Sequence, residues 1–249
     1  MRRTRVIPCL LLRERGLVKT RRFAEPVYLG DPVNTARIFS DKEVDELVLL
    51  DIDASRRRLE PDYETIAAVA GECFMPLAYG GGVRTLEQAR RVIRCGVEKI
   101  IVTSAGGDSV LLRELAEVFG GQAVVGGLEV RRHGAGWRLS EQGGHRALAE
   151  SLDARLEQLI AAGVGEILLN SVDRDGMGQG YDLELIRHVS ARVNVPVVAC
   201  GGAGAIDHLR QAAAAGAAGV AAGSLFVFHG SRSGVLLHYP NADALTGLP

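Results

Sequence analysis

The chain has 249 residues, of which 47% are hydrophobic and 24% charged, with 29 basic side chains against 30 acidic ones. That length suits one large α/β domain or two small ones, and the composition supplies a sizeable core. A formal net charge of -1 gives no basic surface for nucleic acid and no excess for a membrane face, so neither is expected as a partner.

The N-terminal MRRTRVIPCLLLRER carries charge and then an apolar run too short for a signal segment, with no small-residue cleavage site. It reads as a first strand, Arg5–Leu12. Further strands are predicted over Glu46–Asp53, Met75–Gly80, Lys99–Thr103, Ala123–Glu129, Glu166–Val172, Val195–Cys200 and Gly219–Gly223. Between them run amphipathic stretches such as Asp62–Glu72, Thr85–Cys95, Leu111–Phe119, Leu152–Ala162, Leu183–Val193 and Ile206–Ala215. The strands are rich in Val, Ile and Leu without polar alternation, as expected when both faces of a parallel sheet are buried. No apolar stretch approaches the length of a membrane span, and a cytoplasmic location is expected. The basic run Arg56-Arg57-Arg58 and the pair Arg131-Arg132 read as solvated loops or helix ends. Cys9, Cys73, Cys95 and Cys200 lie far apart with no metal-ligand spacing, which predicts buried free thiols, no metal and no cofactor.

Eight strand–helix units in this length predict an α/β fold, a single (β/α)8 TIM barrel. An internal repeat sharpens the prediction. Glu46 matches Glu166, Asp53 matches Asp173, Pro76 matches Pro196, Gly81-Gly82 matches Gly201-Gly202, Gly96 matches Gly216 and Ser104 matches Ser224, every pair 120 residues apart. An open doubly wound sheet would not predict that constant offset. The expected organisation is one barrel domain, 1–249, made of two homologous half-barrels over roughly 1–121 and 122–249.

Barrel sites lie at the C-terminal strand ends. There the sequence places Gly81 and Gly82, Thr103 and Ser104, Gly201 and Gly202, and Gly223 and Ser224. Glycine lets backbone N–H groups approach an anion and hydroxyls add donors, so two equivalent pairs predict two phosphate cradles. The implied ligand is a small molecule with a phosphate at each end. Lys19 is a further candidate phosphate ligand. Asp51, Asp53, Glu129, Asp173 and Asp175 also end strands, where desolvation can turn a carboxylate into an acid or base; capping a helix is the competing role for Asp53 and Asp173. At the opposite ends, Arg5, Glu46, Lys99 and Glu166 carry alternating charge at strand starts, which predicts a ring of salt bridges closing the barrel bottom.

VIPCLLL, GLVKT, GDPV, DELVLLDIDAS, YGGGVRT, GEILLNSVDRDGMGQGYDLELI and ACGGAG together resemble HisF, the cyclase subunit of imidazole glycerol phosphate synthase, from about Arg5 to Ser224. The resemblance implies a glutaminase docked at the N-terminal face. It also implies an ammonia gate at Arg5, Glu46, Lys99 and Glu166, and phosphate binding at Gly81, Gly82, Ser104, Gly202 and Ser224. It implies an aspartate where this chain has Leu11, another where it has Glu129, and Asn-Thr where it has Thr103-Ser104. Leucine transfers no proton, and losing a positioned acid or base costs about 10²–10⁴-fold in rate. CFMPLAYGGG, AAGSLFVFHG and the ending GVLLHYP, without a long eighth helix, resemble instead a paralogous branch. These are the AglZ-like acetamidino-modification proteins of surface-polysaccharide clusters. That branch implies ammonia from a HisH-like glutaminase, delivered for a sugar amidotransferase. Catalytic roles are expected for Glu129, Asp173 and Asp175. The alternatives are a histidine-pathway cyclase (a lyase), a non-catalytic subunit that activates the glutaminase, and a phosphosugar isomerase.

Overall fold

Side chains along Arg5–Arg13 (β1) alternate in direction. Val6, Leu10 and Leu12 pack outward beneath the helices, while Ile7, Cys9 and Leu11 pack inward. The same alternation runs through Leu47–Asp51 (β2), Leu77–Gly80 (β3), Lys99–Val102 (β4), Val124–His133 (β5), Glu166–Ser171 (β6), Val197–Cys200 (β7) and Gly219–Ala222 (β8). Each strand pairs in parallel with the next in sequence, and β8 closes onto β1 from Arg5↔Gly219 to Pro8↔Ala222. The result is the expected closed (β/α)8 barrel. The computed structural model describes residues 3–103, 109–229, 234–241 and 243–248.

Two apolar layers follow. The larger lies between strands and helices and includes Phe39, Leu47, Ile66, Leu77, Ile100, Leu112 and Phe226. The smaller fills the barrel bore with Ile7, Val48, Ala78, Ile101, Val125, Leu168, Val198 and Ala221. Five of the longer helices start where a short polar side chain takes an orphan backbone N–H. Asp31 caps Pro32–Asp41, Asp62 caps Tyr63–Ala70, Thr85 caps Leu86–Arg94, Ser151 caps Leu152–Ala161 and Asp182 caps Leu183–Ser190. Among the described residues, no helix is long and apolar enough to cross a membrane.

The predicted strands Met75–Gly80 and Val195–Cys200 are shorter in the structure because Pro76 and Pro196 sit just before the paired residues, where an amide donor is missing. The fifth strand instead runs past Glu129 to His133 and folds back as Gly136–Glu141. A second hairpin, Gly16–Arg21 with Ala24–Gly30, rises from β1 at the same face. After β8 come a four-residue helix, Ser224–Val227, and a short pairing of Phe228–His229 with Gly234–Val235. Tyr239 then donates to the Val6 carbonyl at 3.0 Å, holding the C-terminal segment against β1.

Candidate functional site

At the N-terminal end of the barrel the four charged strand-start residues meet. Arg5, Lys99 and Glu166 are the first residues of their strands, and Glu46 directly precedes β2. Lys99 Nζ lies 2.8 Å from Glu46 and 3.0 Å from Glu166, and Arg5 bonds Glu46 and, at 3.0 Å, Glu166. Each cation therefore bridges both carboxylates in a closed circuit. Both glutamates are buried. Burial works against the Arg5 charge, but Glu166 and Glu46 outweigh it and raise its pKa. Removing one member of such a buried set leaves an uncompensated charge, at a cost of about 3–5 kcal/mol.

Above this ring the bore is aliphatic, and polarity returns only at the mouth. A cavity of about 520 Å³ opens there among Asp51, Asp53, Gly81, Gly82, Thr103, Glu129, Glu141, Arg146 and Asn170. Glu129 extends into it from β5 and accepts backbone N–H groups from Gly143 at 3.3 Å and Gly144 at 2.7 Å. Burial raises its pKa to about 7, against those two donors, and the nearby Glu141 adds to the rise. Asp51 also faces this cavity, its pKa raised by burial although Asp53 and Ala54 donate to it. Arg13, Arg56, Arg58 and Arg84 ring the opening.

A second cavity, about 20 Å³, lies across the mouth among Cys9, Lys19, Asn170, Asp175, Cys200, Gly201, Gly202, Gly223 and Ser224. Lys19 is fully buried; desolvation would lower its pKa, but Asp175 and the Cys9 and Cys200 sulfurs raise it above the ordinary value. Its Nζ is 3.5 Å from Asp175, whose other oxygen accepts from Thr20 at 3.0 Å. The glycines here and across the mouth are geometric necessities. Gly81 has φ +129° and Gly201 φ +88°, and a Cβ would stand 2.6 Å from the carbonyl oxygens of Asp51 and Ser171 respectively.

The family model described as histidine biosynthesis protein matches residues 5–232. The chain belongs to the HisF-like family. It is 52% identical, over 98% of its length and 99% of the relative, to a Pseudomonas aeruginosa protein provisionally named imidazole glycerol phosphate synthase subunit hisF2. A Leptospira borgpetersenii protein, also provisionally named as the HisF subunit, is 43% identical over 97% of this chain and 96% of its own. The Exiguobacterium sibiricum imidazole glycerol phosphate synthase subunit HisF is 38% identical over 89% of this chain and 90% of its own.

In this HisF-like barrel the residues expected from sequence divide between the two cavities and the ring. Gly81, Gly82, Thr103 and Glu129 line the larger cavity, and Lys19, Asp175, Gly201, Gly202, Gly223 and Ser224 the smaller. Ser104 lies outside the described residues. Asp173 is not brought to either cavity. It accepts from the Arg132 backbone at 2.7 Å and pairs with Arg131 at 3.4 Å, tying the loop after β6 to the β5 extension, so the structure corrects the expectation that it joins the acid–base groups. Arg56, Arg57 and Arg58 are exposed at the end of the short helix Ala54–Arg57, as expected of a solvated helix end, and Arg56 also pairs with buried Asp53 at the cavity rim. Asp53 makes no cap; its partners are Arg13, Arg56 and Arg57. Asn170 was missed, although a polar residue two positions beyond Leu168 and four beyond Glu166 shares their inward face.

Proposed function

We propose that this barrel takes ammonia at its N-terminal face from a HisH-like glutaminase and conducts it to its mouth. There it serves the amidation of an acetamido sugar by a separate sugar amidotransferase, as in acetamidino modification of surface polysaccharide. One observation carries the reading: an intact four-residue ion ring under an aliphatic bore, in a barrel whose β1 end holds Leu11 where the cyclase resemblance implies an acid. A neutral, small molecule crosses an apolar bore at far lower desolvation cost than an ion. The ring excludes water and ions until a charge pair parts, and Lys99, on a flexible stem, is the member best suited to move. The relatives' naming as synthase subunits is consistent with a partner that supplies the nitrogen. At the mouth, Lys19 with the Gly202 and Ser224 backbone, and Gly81-Gly82 opposite, serve a phosphate-bearing small molecule.

The test is reconstitution with a HisH-like glutaminase and the sugar amidotransferase, following amidine formation from glutamine. Dependence on this chain supports the reading, and an unchanged rate when it is omitted refutes it.

A second reading, cyclase action in histidine biosynthesis, draws on Glu129. A carboxyl with a pKa of about 7 is suited to acid–base work near neutrality. Growth of a cyclase-deficient histidine auxotroph carrying this chain would favour it.

A further inference from the structure

One buried acceptor in the mouth is left without a donor. Asn170, 8% exposed, stands on β6 in the inward-facing column Glu166, Leu168, Asn170, the point where the aliphatic bore gives way to polar surface. Among the described residues its Oδ1 has no hydrogen-bond partner. It also lines both cavities, a position it shares with Leu11. Gly201 makes room for it: a Cβ there would lie 2.7 Å from Oδ1. A buried carbonyl without a donor lowers stability, and an apolar residue of similar shape would not carry that cost. Lys19 and Asp175, the charged groups of the smaller cavity, satisfy each other and leave the Asn170 acceptor unmet.

We propose that Asn170 is a specificity-determining contact: its carbonyl accepts a hydrogen bond from a hydroxyl or N–H of a phosphorylated ligand that bridges the two cavities. The phosphate sits on the Lys19 side, and the donor group crosses beneath Asn170 into the larger cavity. Leu11, the other residue shared by both cavities, offers that ligand only apolar surface, so the Asn170 amide is the polar reader at the junction. A ligand lacking a donor at this point leaves the carbonyl buried and unpaired in the complex, which is the strongest form of discrimination a site of this kind provides. The inference rests on the assignment of phosphate to the smaller cavity, and the experiment separates the two.

The full chain and its Asn170→Leu and Asn170→Ser variants are titrated with ribose 5-phosphate, which offers both phosphate and hydroxyl donors, and separately with inorganic phosphate. Wild type is expected to bind the sugar phosphate more tightly than phosphate. Asn170→Leu should weaken the sugar phosphate about tenfold and leave phosphate unchanged, with Asn170→Ser intermediate. The thermal midpoint of Asn170→Leu should equal or exceed that of wild type, which shows that lost binding is not lost folding. Equal sugar-phosphate affinity in wild type and Asn170→Leu overturns the proposal, as does parallel loss of both ligands or no wild-type preference for the sugar phosphate. Sugar-phosphate binding that depends on Asn170, without any inorganic phosphate binding, keeps the Asn170 contact and discards the phosphate assignment.

Discussion

Replacing Glu129 by Gln removes a single ionisation and should change how stability depends on pH. On folding, burial moves the carboxyl from its ordinary 4.5 to about 7. The native state then holds the proton more tightly than the unfolded chain, so between those two values the native state carries more protons. Stability therefore falls as pH rises through this window and is level outside it. At 1.36 kcal/mol per pKa unit the full effect is about 3 kcal/mol. Glutamine keeps an oxygen for the Gly143 and Gly144 donors and has no charge to desolvate. Thermal melts of wild type and Glu129→Gln, compared at about pH 5 and about pH 8, isolate the residue because all other titrations cancel in the difference. The variant should gain relative to wild type as pH rises, by about 6–12 °C in a domain of this size. Parallel melting curves at the two pH values would show that Glu129 is not held protonated by burial, and the acid–base argument at this position would fall.

Substituting Lys19 by Met should abolish phosphate binding and cost about 3–5 kcal/mol through the stranded Asp175, and Lys19→Met with Asp175→Asn should recover much of the stability but none of the binding; denaturation and titration read the two effects separately. Gly201→Ala should lower stability by about 1–3 kcal/mol because φ of +88° and the Ser171 carbonyl both oppose a Cβ, and Gly81→Ala should cost a similar amount for the same reason across the mouth, each measured by thermal melting. Asp173→Asn should leave ligand binding at wild-type strength, since the side chain holds the β5 extension and faces neither cavity; a tenfold loss on titration would contradict its placement.

How much of this was legible in the sequence depends on what carries the signal. The barrel was readable because strands buried on both faces must be nearly all aliphatic, and because the landmark pairs 120 residues apart, such as Glu46 with Glu166, reappear at equivalent places in space. The ion ring was readable only as a set: one charge at a strand start usually just solvates the strand end, whereas Arg5, Glu46, Lys99 and Glu166 place four charges of alternating sign at the starts of four strands. The two hairpins over the mouth were not. Residues 130–147 mix Arg, Gly and Trp with little alternation, and the pairing of Arg131 with Arg138 is set by the turn and by Asp173 rather than by a pattern of apolar residues. The helix Pro32–Asp41 was missed despite Asp31 and Pro32, a cap and a first-turn proline, because only Thr35, Ala36 and Phe39 follow Pro32 into the core and the stripe is weak. The mutual neutralisation of Lys19 and Asp175 had no trace in a separation of 156 residues.

The most direct test of ammonia conduction is the origin of the incorporated nitrogen. With amide-¹⁵N glutamine, an excess of unlabelled ammonium in solution and the reconstituted glutaminase and sugar amidotransferase, the acetamidino product should carry ¹⁵N when this chain is wild type. It should approach the isotope ratio of the bulk when Lys99 or Arg5 is replaced by Met while the glutaminase remains stimulated. Product labelled at the bulk ratio with the wild-type chain would contradict the account.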